Sequence, residues 1–397
     1  MSKINKILDR LIYLSENESF KGYDPYDGLN LFNPFGNLLK KNKFTRLVLI
    51  HLNKRSLLNF RPIIGIQPNI NPKTLALFIS GLVRQGRAND TEVLVHLLKE
   101  YKSPESKHYA WGYYFDWQSR VFFQPAHTPT VVATAFVCNA LLDLYEKIGD
   151  KELLAIVASS IRFITEELNL FENENGVCFS YSPLDNSVIY NASALGLEVL
   201  ARYQKIIKQE STNLNLLLEK GIQFLKAEQN ANGSWYYGKQ PIQHFVDHYH
   251  TAYILESLEN IDRYTGGRYQ LESAIERGLH FYLHNMFTKE GSPKFYKNAV
   301  YPIESHCSGA AIKSLSVLSE RFGKEIFEHA VKISLWTIEY LYNERKGYFY
   351  YQKRKFWTNK VNYLRWSQAW MFAGLSYLLY YGKKYGYSFD ENTWRQS

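Results

Sequence analysis

A turn, a cluster of aromatic residues and a helix start recur along this chain at a nearly constant interval. No other feature constrains its fold as much. The unit is plainest at Gln229-Asn230-Ala231-Asn232-Gly233-Ser234-Trp235-Tyr236-Tyr237, followed by Asp247-His248-Tyr249-His250-Thr251-Ala252-Tyr253. The first part reads as a helix end, a Gly-led turn and an aromatic segment, and the second opens a helix with small residues on one face. Taking Pro72, Thr128, Tyr190, Asp247, Glu304 and Tyr363 as equivalent positions gives steps of 56, 62, 57, 57 and 59 residues. A step of about 58 residues fits two helices plus two connections. One such hairpin cannot bury its apolar face without neighbours. Six of them close into a toroid, with inner helices facing the axis and outer helices around them.

The continuous repeat argues for one domain over residues 1–397, although length alone would divide such a chain. Cys138, Cys178 and Cys307 are an odd set without CxxC spacing, so neither a disulfide framework nor a cysteine zinc site is expected. With no apolar signal core after Met1 and no run of 18 apolar residues, the expected location is cytoplasmic, and peripheral membrane contact stays open. The oligomeric state is unspecified. A net charge of +9 favours an acidic partner, with solvated lysines on outer helices as the plainer account. The charge is scattered and no phosphate loop or binding module accompanies it, so nucleic acid is not an expected partner.

In chain order, residues 1 to about 20 read as helix. The segment Lys21–Asn30 is a turn-rich loop long enough to lie over one mouth of the toroid, either in a functional role or as a plug. Lys40–Phe60, Asp90–Tyr101, Lys151–Leu168, Thr212–Asn230, Arg268–Phe287 and Glu325–Asn343 read as outer helices. Thr74–Arg84, Thr128–Tyr145, Asn191–Tyr203, Asp247–Leu258, Glu304–Ser319 and Leu364–Tyr381 read as inner ones. Short aromatic segments precede the later inner helices, at Val177–Tyr181, Ser234–Tyr237, Pro293–Tyr296 and Gly347–Tyr351. Two-stranded ribbons are expected there, all on one face. The fold class is therefore all-α, an (α/α)6 toroid with short aromatic β-hairpins on one face.

Inner-helix N-termini then share that face, where they favour anions. Polar residues gather at the same repeat position: His127, Tyr190, Asn191, Asp247, His248, His250, Glu304, His306, Arg365 and Gln368. Aromatic side chains in the connections, Trp111 and Trp235 among them, can stack on sugar rings or pack as core.

Two local segments carry resemblances. Gln229-x-x-x-Gly233-Ser234-Trp235 looks like the repeat motif of triterpene cyclases. Asp247-x-Tyr249-His250-Thr251-x-Tyr253 resembles the zinc-histidine segment of protein prenyltransferase β subunits. Both families are helical toroids, but the cyclase cluster of Asp residues and the prenyltransferase Asp-x-Cys pair are missing here, so the architecture carries over without the chemistry. The layout as a whole is similar to the six-hairpin toroids of carbohydrate-active enzymes: glycosidases, polysaccharide lyases and glucuronyl 5-epimerases. Tyr23-Asp24-Pro25-Tyr26-Asp27-Gly28-Leu29 also resembles a bacterial group associated with surface-polysaccharide synthesis.

That resemblance implies an acidic oligosaccharide or polysaccharide substrate, free or lipid-linked, and proton abstraction beside its carboxylate. Such a step needs a base and cationic or amide groups to offset developing charge. The expected catalytic set is Tyr23, Asp27, Asp247, His250 and His306. The expected substrate-binding set is Tyr26, Trp111, Asn191, Trp235, Glu304, Arg365 and Gln368, with Arg365, Asn191 and Gln368 holding the carboxylate. Replacing His250 or Arg365 is expected to abolish turnover with little effect on stability. A glycoside hydrolase is the alternative, its two carboxyl groups roughly 5 to 9.5 Å apart and drawn from Asp24, Asp27, Asp116, Asp247 and Glu304. Against this, Asp27 is a common turn residue, and Asp247 and Glu304 stand where helix N-caps belong. A non-catalytic glycan-binding or assembly protein and a terpenoid-type enzyme remain as further alternatives. His248, His250 and His306 suggest a metal site less than they suggest caps or hydroxyl ligands, and no metal or cofactor is assigned.

Overall fold

The computed structural model describes residues 3–31 and 40–389. Six helices form a closed inner ring: Pro72–Arg84, Val131–Ile148, Tyr190–Ile207, His248–Tyr264, Ser305–Phe322 and Ala369–Lys384. Each packs against the next and the last against the first. They are buried on nearly every side along most of their length, and apolar or small residues predominate beyond their first turns. Where Ser305–Phe322 meets Ala369–Lys384 the backbones touch, because Gly309 and Gly374 present no side chain. A Cβ on Gly374 would stand 2.7 Å from the carbonyl oxygen of Gly309.

Five outer helices, Glu92–Glu100, Lys151–Arg162, Thr212–Ala227, Glu272–Asn285 and Lys324–Leu341, each cover the inner helix that precedes them. The sixth outer position belongs to Lys3–Asn17, which packs on Ala369–Lys384 and joins the two ends of the described chain. Its buried residues Ile4, Ile7, Leu8, Leu11 and Ile12 make a stripe at helical spacing. Buried apolar side chains from both rings form one continuous cluster.

This arrangement corrects the reading of Lys40–Phe60 as an outer helix. The helix found there, Lys43–Arg55, packs on the turn Asp27–Leu29 and on the strand Trp117–Gln118. Ile50 and Asn53 are its buried residues. The N-terminal helix has the more complete apolar stripe and takes the outer place, which leaves Lys43–Arg55 across the mouth of the ring. Gly28 permits the contact, since a Cβ there would lie 3.1 Å from the Cα of Ile50.

Three inner helices begin at side-chain caps that satisfy free N–H groups, whereas Ile189, Glu304 and Gln368 make no such bond, so Glu304 stands at a cap position without capping. Asn71, Thr130 and Asp247 accept from the backbone of Lys73, Ala133 and His250. Of the four expected ribbons, two form, Leu170–Asn173 with Gly176–Phe179 and Tyr342–Asn343 with Tyr348–Phe349. The Ser234–Tyr237 and Pro293–Tyr296 segments do not. They are held by isolated bridges such as Asp247 with Tyr296, and by the Trp235 indole bonding back to the preceding helix. A three-stranded sheet that the sequence did not suggest joins Ile303–Glu304, Gln352–Lys353 and Thr358–Asn359.

Candidate functional site

The inner helices begin around a cavity of about 260 Å³ on the ring axis. Their first turns supply Lys73, Asn191, Asp247, His250 and His306 to its wall, while Arg365 and Trp366 come from the π-helical turn Leu364–Gln368 that leads into the last inner helix. Such turns are frequent at functional sites. Tyr26 enters from the N-terminal loop and Lys54 from the helix across the mouth.

Asp247 caps the helix His248–Tyr264 with one carboxylate oxygen, accepting the His250 N–H at 3.0 Å. Its other oxygen lies 2.7 Å from Nδ1 of the His250 ring. A carboxylate accepts, so Nδ1 carries the proton and Nε2 is left as the basic nitrogen. Nε2 has no hydrogen-bond partner among the described residues, and the ring lies on the cavity wall between Tyr237 and Tyr249.

His306 is buried, and its Nε2 lies 2.6 Å from the Tyr253 hydroxyl. Its Nδ1 has no partner among the described residues, and neither has Oδ1 of Asn191; both residues line the cavity. Burial, reinforced by Lys73 and Arg365, holds the His306 imidazole well below the usual histidine range. Behind Tyr253 lies Lys73, its Nζ 3.4 Å from the hydroxyl and 3.9 Å from the centroid of the Phe136 ring. Lys73 is buried and forms no ion pair with any described carboxylate. It also stands in the first turn of a helix, where the dipole opposes a cation. Burial and then Arg365 push its amine well below the ordinary lysine value.

Arg365 and Asp24 form a buried, two-point ion pair, Nη2 to Oδ1 at 2.8 Å and Nε to Oδ2. The guanidinium also lies 4.9 Å from the ring centroids of both Tyr113 and Trp366. Lys54 donates to the Tyr26 hydroxyl at 2.6 Å. Lys54, Arg120 and Arg365 therefore face the cavity with one described lining carboxylate, Asp247, which His250 already engages, while Asp24, outside the lining, pairs with Arg365. The field inside favours an anion.

Of the residues expected at the site, Tyr26, Asn191, Asp247, His250, His306 and Arg365 share this wall. The others lie elsewhere. Tyr23 packs beside the Arg61 guanidinium. Asp27 is fully buried, bonded to Arg61 at 2.7 Å and to the Asp24 N–H at 2.9 Å, so it fastens the loop. Glu304 stands behind the wall, accepting from Tyr351, Gln352 and the indole N–H of Trp366, and so positions Trp366. Gln368 exchanges bonds with both backbone groups of Phe349.

Trp111 and Trp235 correct the platform expectation most clearly. Both are buried, and each indole donates to a carbonyl at the end of an outer helix, Leu98 at 2.7 Å and Leu225 at 2.8 Å. They are repeat staples. Aromatic faces on the cavity come instead from Tyr113, Trp117, Tyr181, Tyr237, Tyr249 and Trp366. His248 points away from the axis, its Nε2 2.8 Å from the Tyr282 hydroxyl of an outer helix. Among the described residues no three His, Cys, Asp or Glu side chains group as metal ligands. Lys54 and Lys73 were missed. The one sequence signal for Lys73 is a lysine at the second position of a helix, where an acidic residue is favoured.

No family model matches the chain, and no curated protein does. Solved structures match in fold. A sugar epimerase from a ruminal bacterium is 12% identical, with a TM-score of 0.60 over 82% of this chain and 91% of its own. Cellobiose 2-epimerase from Bacillus thermoamylovorans is 12% identical, with a TM-score of 0.60 over 78% and 86%. An unsaturated glucuronyl hydrolase specific for heparin is also 12% identical, with a TM-score of 0.58 over 98% of both chains. At these identities the likeness shows the fold, a six-hairpin (α/α) toroid.

Proposed function

We propose that this chain is a carbohydrate-active enzyme that removes a proton beside the carboxylate of an acidic glycan, as in uronate 5-epimerisation or elimination. The observation that carries the reading is the Asp247-oriented imidazole of His250 in a cavity lined by Lys54, Arg120 and Arg365. In this reading Nε2 of His250 takes the proton from carbon 5, and Asp247 stabilises the imidazolium that forms. Charge growing on the substrate carboxylate meets Arg365. An epimerase then returns a proton to the opposite face. His306 suits that step, because an Nε2 that accepts from Tyr253 leaves the proton on Nδ1. In an elimination, the electron pair at carbon 5 instead closes a double bond to carbon 4, and the departing oxygen takes a proton from His306 or from water. The activities by which the structural neighbours are known, sugar epimerases and a glucuronyl hydrolase, support a carbohydrate substrate.

A paired-carboxylate hydrolase fits less well, since Asp247 is the one carboxylate among the described lining residues. The same lysines and arginines would oppose the carbocations of a terpenoid cyclase. The test is incubation with uronate oligosaccharides in heavy water. Deuterium at carbon 5 without scission identifies an epimerase, and an unsaturated uronate end identifies a lyase, with both lost in His250→Ala. New reducing ends with neither an unsaturated uronate end nor deuterium at carbon 5, or binding without turnover, would overturn the proposal.

A further inference from the structure

The mouth of the ring carries a second feature that the chemistry above does not use. The helix Lys43–Arg55 and the segment after it expose large apolar side chains: Ile63 is 81% exposed, Phe44 75%, Leu52 67% and Leu58 65%. Phe44, Leu52 and Ile63 border an open groove of about 1300 Å³. Beside them, tied on by the Asn359 side chain donating to the Ser56 carbonyl at 2.8 Å, runs the strand pair that holds Phe356 and Trp357 at its turn. Those two are 79% and 48% exposed. Single exposed apolar residues need no explanation, whereas a contiguous set of this size marks an interaction surface.

Charge narrows what it meets. Residues 40–65 hold seven Lys or Arg and no Asp or Glu, and residues 353–360 hold four and none. Lys43, Arg55, Lys355 and Lys360 are exposed and form no ion pair with a described carboxylate. Apolar side chains interleaved with unpaired cations match the interface of an anionic bilayer, where rings and aliphatic groups enter the acyl boundary and cations meet headgroups. A second copy of the chain fits poorly, because a two-fold interface would set these cations against themselves. Among the described residues no helix is long and apolar enough to cross a membrane, so the contact is peripheral.

We infer that the face formed by residues 43–64 and 353–360 docks on an anionic lipid surface. Leu47, His51 and Arg120 line both the groove and the cavity, so docking brings the mouth of the candidate site to the bilayer. A glycan carried on a lipid would be presented there.

Vesicle sedimentation tests this without reference to turnover. The full chain is expected to pellet with phosphatidylcholine vesicles containing phosphatidylglycerol, weakly with phosphatidylcholine alone, and to be released by salt. Arg55→Glu with Lys355→Glu is expected to weaken binding by more than about tenfold. Phe356→Ser with Trp357→Ser is expected to weaken it as well, with circular dichroism unchanged in both pairs. Absence of binding to the anionic vesicles would overturn the inference. So would wild-type binding by both variant pairs, or a dimer that Phe44→Ser and Ile63→Ser dissociate in a chain that ignores vesicles.

Discussion

Asp247 holds His250 at two points: one carboxylate oxygen accepts the His250 backbone N–H at 3.0 Å, and the other bonds its ring Nδ1 at 2.7 Å. One residue thus starts the helix and fixes the tautomer of the imidazole three positions on. The two roles separate by substitution. Asn retains the cap but removes the charge that stabilises an imidazolium. Asp247→Asn is expected to lower kcat by about a hundredfold or more with its melting temperature nearly unchanged. Asp247→Ala should also lose about 1 kcal/mol of stability. Full turnover in the Asn variant would remove His250 from the role of oriented base.

Lys73 is expected to trade stability for function. Its lowered value means that the native state disfavours the ammonium relative to the unfolded chain. Its contribution is therefore full above the ordinary lysine value and falls as pH drops through the lowered one. At neutral pH the residue destabilises the fold. Lys73→Met keeps the length and removes the buried amine. Denaturation should show a gain of about 1 kcal/mol or more, while KM for an acidic substrate rises. A loss of stability would show that the amine is better satisfied than its surroundings indicate.

Arg365 carries a structural load as well as facing the cavity, which corrects the expectation that its removal is neutral. Arg365→Ala leaves the buried Asp24 carboxylate without its two-point partner. Such uncompensated burial costs about 3–5 kcal/mol. Thermal unfolding of Arg365→Ala beside His250→Ala should show a large drop in the first and little change in the second.

His248 predicts an acid dependence. Burial pushes its imidazole from 6.5 down to about 3, so the unfolded chain binds a proton that the folded one does not. Its contribution is fully present above 6.5 and is lost as pH falls toward about 3, at up to about 1.4 kcal/mol per pH unit. The stability difference between wild type and His248→Gln should shrink over that range. A constant difference would mean that the folded imidazole titrates normally.

Trp235 should behave as a staple. Trp235→Phe removes the bond to the Leu225 carbonyl and is expected to lower stability by about 1 kcal/mol, with kcat and KM unchanged. A selective loss of turnover at full stability would return it to the site.

The ring was legible because its cause is local and repeated. A turn, aromatic residues and a helix start recur at a nearly even interval along the inner helices. Asp247 could be read as a cap from the helix it precedes, and the same geometry brings His250 beside it. Less legible was the role of each Trp, because an indole that staples and one that lines a cavity occupy similar turns. The N-terminal and Lys43–Arg55 helices competed for one outer position. Their order in the chain gave the wrong answer, and the more complete apolar stripe of Lys3–Asn17 decides it.

The chain alone determined how many helix pairs form, where they start, and that their polar first turns share one face, since periodicity and capping act within a few residues. Which of those residues face the axis was decided in three dimensions. Successive helical positions turn by about 100°, so Asp247 and His250 meet the cavity while His248 turns to Tyr282. Nothing local sets that rotation. The Asp24–Arg365 pair joins residues 341 positions apart, and Lys73 is an ordinary first-turn lysine until Phe136, Tyr253 and Trp370 close around it. Burial is a property of the closed ring, and it is burial that turns these side chains into a candidate site.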